Sequence, residues 1–307
     1  MCGVCGVLYK TKDDSNTGPV GIALTQMLAS MVHRGEDSTG IAIADKRDTS
    51  SLIVRLWASD VDKATQQISE RSSALEINPM IDQLNGNYMR LLVNLNGRKD
   101  VSVSVQNLAK FFNQIEGVTL HSIGNVSEII KDVGTAEDLD RRHNIRAMAG
   151  SHGIGHVRLA TESRVDITHS HPFWAYPFAD VTVVHNGQLT NYHKLRRKYE
   201  ALGHQFLTEN DSELIAVYLA EKLSSGLNLY DSLNTSLGDL DGTFTFLVAT
   251  ANGVGYAKDR WAAKPLVIRE NNDMVAIASE QVALDTLNLE ESNQIEPQEN
   301  EVMTWSI

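Results

Sequence analysis

The sequence predicts an α+β fold built on antiparallel sheets, and three observations carry that expectation. Strand-like segments come as hairpin neighbours at both ends of the chain. Helix-like segments come in blocks between them. The regular strand–helix alternation of a doubly wound parallel sheet is missing. An apolar content of 42% and a charged content of 21% belong to an ordinary globular chain rather than a disordered one.

Taken in order, residues 2–9 are rich in Val, Leu and Gly and read as a short buried strand. Pro19 opens a helix whose apolar side, Ile22, Leu24, Met27, Leu28 and Met31, runs to Val32; Gly35 stops it. Residues 39–44 read as a second strand. Weaker helical patterns follow at 62–75, 84–95, 108–115 and 136–149, separated by polar links. They read as an inserted, largely helical lobe over 60–148, within a domain of residues 2–307.

From Gly150 onward the punctuation tightens. Residues 153–158 and 180–185 read as strands, the second ending in His185-Asn186-Gly187. Residues 189–202 form a basic amphipathic helix closed by Gly203. Asn210 caps the next helix, with Glu213 three residues on as a capping-box-like partner. Ile215, Tyr218, Leu219 and Leu223 lie on one side of that helix. A helix at 229–240 precedes strands at 244–250, 253–258, 266–269 and 274–278. A short helix at 281–287 and a strand at 301–307 follow.

At 307 residues the chain can bury roughly 75% of its unfolded surface and needs no covalent staples. With 27 basic and 39 acidic residues, its net charge of −12 repels phosphate backbones, so nucleic acid is a poor expected partner. No apolar run suggests a membrane span. The chain begins Met-Cys-Gly and reaches Lys10 and Asp13-Asp14 at once, without the apolar core of a secretory leader. Two cysteines are no secreted disulfide framework, which fits a reducing cytoplasm.

Both cysteines fall in the first five residues, as Cys2-Gly-Val-Cys5. A structural zinc site needs four ligands, and the close histidine pairs, His169/His171 and His152/His156, do not supply a convincing second half. A redox dithiol belongs at a helix N-terminus, whereas residues three apart on a strand point to opposite faces. The third reading takes the position literally. If Met1 is removed, the α-amino group of Cys2 lies beside its own thiol. With a reference pKa near 7.7–8.0, that amine can accept the thiol proton. One residue then supplies nucleophile and base.

Further segments join Cys2: His33-Arg34-Gly35-Glu36-Asp37-Ser38-Thr39-Gly40, Gly155-His156-Val157-Arg158-Leu159-Ala160-Thr161, and His171-Pro172-Phe173. Val184-His185-Asn186-Gly187 through Asn191-Tyr192 and Thr208-Glu209-Asn210-Asp211-Ser212-Glu213 follow. Lys258-Asp259-Arg260, Lys264-Pro265-Leu266 and Ala278-Ser279-Glu280 close the series. In this order, behind an N-terminal Cys, they resemble the glutaminase domain of class II glutamine amidotransferases. The resemblance implies an N-terminal nucleophile hydrolase fold, a four-layer αββα sandwich of two antiparallel sheets.

It also implies the roles. Cys2 attacks the side-chain amide of glutamine and forms a thioester. The Asn186 amide and the Gly187 N–H form the oxyanion hole. Arg158 holds the substrate α-carboxylate, assisted by Thr161, and Asp211 takes the α-ammonium. Arg34 orients the Cys2 loop, while His156, His171 and His185 pack or shape loops. The sequence departs from the family in reading Glu162-Ser163 after Thr161 and in the long 60–148 segment.

A run resembling glutamate-synthase-related subunits, such as that of N-methylglutamate synthase, implies a stand-alone glutaminase subunit of a hetero-oligomer. Ammonia would go to a synthase subunit. No cofactor is expected in this chain, and flavin and iron–sulfur groups would belong to the partner. The competing readings are a catalytically silent subunit of such a complex and a Cys-first hydrolase of another amide.

Overall fold

The computed structural model describes residues 2–10, 17–45, 50–72, 77–94, 101–159 and 166–307. The first half runs β1 (Gly3–Tyr9), α1 (Val20–Ser30), β2 (Ser38–Ala44), β3 (Ser51–Ala58), α2 (Val61–Ser72), β4 (Pro79–Asn85) and β5 (Tyr88–Asn94). It continues with α3 (Val101–Asn113), β6 (Val118–Gly124), β7 (Ser127–Val133), α4 (Ala136–His143) and β8 (His152–Arg158). The second half holds β9 (Phe173–Trp174), β10 (Thr182–Leu189), α5 (Tyr192–Ala201), α6 (Asp211–Ser224) and α7 (Leu229–Asp239). It closes with β11 (Gly242–Thr250), β12 (Gly253–Lys258), β13 (Val267–Glu270), β14 (Met274–Ala278), α8 (Gln281–Asp285), β15 (Asn293–Ile295) and β16 (Glu301–Ser306).

These strands make three antiparallel sheets. The first has order β15-β13-β14-β1-β8-β2-β7, the second β16-β12-β11-β10-β9, and the third β4-β5-β3-β6. The first two lie face to face. Val4, Leu8, Ala42 and Ile154 from one meet Val184, Leu247, Val254 and Tyr256 from the other in a shared core. Alternate residues of the same strands point outward. Cys5, Val7, Ile41 and Ile43 pack under α1, α4 and α8, and Val183, Phe246 and Val248 pack under α5, α6 and α7. Period-2 strands with two apolar faces thus give the four-layer αββα sandwich, as expected.

That alternation separates the two cysteines. Val4, like Cys2 at an even position, points between the sheets, whereas Cys5 sits fully buried beneath α1. Burial pushes the Cys5 thiol up, with a smaller opposing contribution from a hydrogen bond to Gly155. Cys5 is a small apolar residue of the core.

The 60–148 segment is mixed rather than largely helical. Helices α2, α3 and α4 alternate with strands β4 to β7, and the helix expected at 84–95 is the β4–β5 hairpin. In β5, Met89, Leu91 and Val93 are buried while Tyr88, Arg90 and Leu92 are half-buried. Leu92 on the outer side blurs the alternation and mimics a helical stripe. The helix expected to run to 149 ends at His143, because Asn144 turns left-handed at φ 52°. Its start carries a capping box from Thr135 and Asp138.

Asp180 fastens the β6–β7 turn to the chain entering β10. Its Oδ1 accepts the Val126 N–H at 3.0 Å, the Ser127 N–H at 2.9 Å and the Ser127 hydroxyl at 3.0 Å, and it shares the Asn125 N–H at 2.9 Å. Asp180→Ala should destabilise the fold by about 3 kcal/mol, since one substitution strands several buried donors. A shift of the urea unfolding midpoint at constant slope checks this. An unchanged midpoint would show that water replaces the carboxylate.

Candidate active site

The site forms where β1 of the first sheet meets β10 of the second. Cys2 lies just before β1, partly exposed, and its carbonyl is held twice. Arg34 Nε donates to it at 2.8 Å and Asn186 Nδ2 at 2.7 Å. Arg34 is buried, and its guanidinium also pairs with Glu280. His33 Nε2 lies 2.8 Å from the other Glu280 oxygen. Burial opposes the charge on Glu280, but Arg34 and His33 outweigh it and hold the carboxyl below its usual range. Ser279, one residue before, accepts the Val4 N–H at 2.9 Å and an Asn186 N–H at 3.4 Å. The start of β1 is therefore anchored by three other segments of the chain.

Arg158 ends β8 and is buried. Its carbonyl accepts the Asp37 N–H at 3.1 Å. A Cβ on Gly35 would lie 2.3 Å from the Arg158 carbonyl carbon, so only glycine lets the Arg34 turn sit against that backbone. One residue further, the Leu159 carbonyl lies 3.7 Å from the Cys2 Sγ. Cys2 and Arg158 are thus carried on neighbouring backbone.

The β10 backbone explains the role open to Gly187. Its partner on β11 is Phe244, whose N–H and C=O both bond Asp259 on the far side. Gly187 and Phe244 are therefore a non-hydrogen-bonded pair, and the Gly187 N–H points away from β11. Donors two residues to either side share that direction and are taken. The His185 N–H goes to His171 Nδ1 at 3.3 Å, and the Leu189 N–H to Asp211 Oδ2 at 2.9 Å. Between them the Gly187 N–H has no ladder partner among the described residues. At φ +136°, with a would-be Cβ 1.9 Å from the Thr243 carbonyl oxygen, the position takes only glycine.

Asp211 opens α6. Burial by itself would raise its carboxyl, but the His185 ring, the Leu189 N–H and the Ser212 hydroxyl together hold it below the usual range. His185 Nδ1 lies 3.0 Å from Ser212 Oγ and 3.5 Å from Asp211 Oδ1. Glu213 departs from the expected capping box. It reaches past Asn210 to the N–H groups of Leu207 and Thr208, at 2.6 and 2.7 Å, while Asn210 caps through the Ser212 N–H at 2.9 Å.

His156 and His171 pack against each other, whereas His185 bonds Ser212 and faces Asp211. His156 and His171 stack at 4.0 Å and 8°. Burial holds His156 down to about 3 and His171 well below its ordinary value, so both rings are neutral near pH 7. Because a carbonyl can only accept, the 3.2 Å contact from His156 Nε2 to the His185 oxygen puts the His156 proton on Nε2.

The structure therefore brings Cys2, Arg34 and Asn186 into direct contact, with Arg158, Gly187 and Asp211 on adjoining backbone. Thr161 and Met1 lie outside the described residues. Ser279, Glu280 and Ser212 were missed as individual site residues. Their signal was present only as members of the Ala278-Ser279-Glu280 and Asp211-Ser212-Glu213 runs. Among the described residues, no group of three or more His, Cys, Asp or Glu could hold a metal ion, and no helix is long and apolar enough to cross a membrane.

A family profile described as "Glutamine amidotransferase domain" matches residues 156–286. A glutamine amidotransferase-family protein of Methanothermobacter thermautotrophicus is 36% identical over 97% of this chain and 98% of its own length. The glutamine amidotransferase-like protein GlxB of Rhizobium meliloti is 34% identical over 99% and 98%. Among solved structures, the glutamine phosphoribosylpyrophosphate amidotransferase of B. subtilis superposes with a TM-score of 0.60 at 21% identity. That match covers 99% of this chain but only 47% of the other, so the chain spans about half of that protein and shares its fold. On sequence across nearly its whole length, and on the N-terminal nucleophile fold, this chain belongs to the class II glutamine amidotransferases.

Proposed function

We propose that the chain is a glutaminase subunit whose ammonia is consumed by a separate synthase subunit of the glutamate-synthase or N-methylglutamate-synthase type. Once Met1 is removed, the Cys2 amine accepts the thiol proton and Sγ attacks the side-chain carbonyl carbon of glutamine. The Gly187 N–H receives the oxyanion together with the Asn186 amide, which gives up one of its two present bonds, to the Cys2 carbonyl or to Ser279 Oγ, to do so. The C–N bond then breaks, the amine returns its proton to the leaving nitrogen, and ammonia departs. Water attacks the thioester, glutamate is released and the thiol is restored. Arg158 and Thr161 hold the α-carboxylate, Asp211 the α-ammonium, and Arg34 the loop carrying the nucleophile.

One observation supports the glutaminase part of this reading above the others: a single residue, Cys2, is gripped through its carbonyl by Arg34 and Asn186, beside a Gly187 N–H that has no partner among the described residues. The chain itself supplies no redox group in this scheme; flavin or iron–sulfur chemistry would belong to the partner in a hetero-oligomer. Protein from its native host should have lost Met1 by intact mass and should release ammonia from glutamine, faster when co-purified with its synthase. Active protein that retains Met1 throughout would refute the amine as base.

A further inference from the structure

A second cavity, apart from the residues assigned to the glutaminase reaction, lies between the third sheet, β7 and the first turn of α6. Its volume is about 240 Å³, and Lys131, Glu213, His121, Thr119, Phe173 and Trp174 are among the residues that line it. Drug-sized pockets run to roughly 300–1,000 Å³, so this one suits a small metabolite. It lies on the opposite side of the α6 terminus from Asp211. Two residues along a helix turn the side chain by about 200°, so Glu213 faces this cavity while Asp211 faces β10.

The lining holds two opposite charges that do not meet. Lys131 is buried in β7, its ammonium donating to the carbonyls of Ser170 at 2.8 Å and Pro172 at 3.3 Å. An ammonium has three donors, so one has no oxygen or nitrogen acceptor among the described residues; the Phe173 ring lies 5.0 Å from the ammonium. No carboxylate pairs with it within ion-pair distance among the described residues, although Glu213 and Asp166 favour its charge from further away. Burial nonetheless draws it down to about 8. Glu213 accepts one N–H on Oε1 and a second N–H and a hydroxyl on Oε2, which leaves acceptor capacity on Oε1. His121 is buried on the same wall, its Nε2 without a partner among the described residues. The rest of the lining is mixed: Val118, Leu120, Leu207, Phe173 and Trp174 make an apolar wall, and Asn113, Thr119, Thr168 and Thr208 add polar groups. A neighbouring cavity of about 270 Å³, with Trp57 on its wall, shares Thr119 and Thr168.

We infer that this cavity binds a small free amino acid. Its carboxylate takes the remaining Lys131 donor, its ammonium takes Glu213, and an apolar side chain lies against the aromatic wall. A monoanion would leave Glu213 facing it, and a monocation would face Lys131; only a zwitterion satisfies both ends. The site is separate from the glutaminase reading and does not require it.

Calorimetric titration of the full chain tests the assignment with leucine, with 4-methylpentanoate as the acid without the amine, and with isopentylamine as the amine without the acid. Leucine should bind, and each one-charge analogue should bind at least about tenfold more weakly, the loss expected for one charge-assisted hydrogen bond. Lys131→Met should weaken leucine by at least a similar factor. Because Lys131 also holds the Ser170–Pro172 backbone, Thr119→Trp, which fills the half-exposed wall shared by both cavities, provides a second reading and should also weaken leucine. Circular dichroism reports whether each variant is folded. No leucine binding, an acid or amine that binds as well as leucine, or leucine affinity unchanged in folded Thr119→Trp would each overturn the proposal.

Discussion

Cys2→Ala protein is expected to release no measurable ammonia from glutamine, while Cys5→Ala keeps most of its turnover. Loss of a catalytic nucleophile in a hydrolase costs about 10⁶ in kcat. The two cysteines are three residues apart, but the strand sends them to different layers. Cys2 lies at the junction of β1 and β10 with its carbonyl held by Arg34 and Asn186. Cys5 lies fully buried in the core beneath α1. Cys5→Ala removes one sulfur from a packed site and should cost on the order of 1 kcal/mol of stability, with little effect on chemistry. Steady-state ammonia release at saturating glutamine measures both. Equal loss from the two substitutions would return the pair to a joint role and remove the single-nucleophile mechanism.

The second large effect belongs to Asn186. Its side chain holds the Cys2 carbonyl at 2.7 Å and lies beside the Gly187 N–H, which has no partner among the described residues. Asn186→Ala should lower kcat by about 10²–10³, the usual cost of one oxyanion donor, equivalent to roughly 3–4 kcal/mol. KM should move much less, because the proposed mechanism gives the carboxylate and ammonium ends of glutamine to Arg158 and Asp211. A rise in KM with kcat unchanged would reassign Asn186 to ground-state binding. Thermal unfolding of the variant is the control, since Asn186 also bonds Ser279.

The parts of the site that were legible in sequence are those whose chemistry depends on residue type. A guanidinium at 158, a carboxylate at the start of a helix and an Asn-Gly pair at 186–187 could be given roles once the resemblance set them beside Cys2; the pair lies within β10 rather than at its end. What could not be read was mutual support. That Glu280 pairs Arg34, or that Ser279 joins Val4 to Asn186, follows from pairings across 246 and 275 residues of sequence. The hairpin-like strand neighbours made antiparallel sheets legible, but the αββα layering came only with the family resemblance: β1 is apolar on both faces, whereas β8 carries His152, His156 and Arg158. The third sheet was not legible. In β3, Leu52, Val54 and Leu56 point inward, but Ile53 and Trp57 sit on the other side, so the alternation is concealed. Lys131 passed unnoticed because one lysine in a strand reads as a solvent-facing residue until the fold buries it.

The β2–β7 pairing has a consequence for anyone who would trim this protein to a minimal catalytic body. Strand β7 comes from the segment read in sequence as an insert, yet it forms the outer strand of the sheet that Cys2 leads into. It pairs with β2 over Ser38–Ala44, all of them buried. Cutting it away would open a row of unsatisfied amides and carbonyls on a strand with no charged residue and no proline to blunt it. Such a shortened protein would be a template for its own aggregation, whatever the state of its catalytic residues. The long segment is therefore a selvage: it finishes the cloth, and the weave cannot be kept without it.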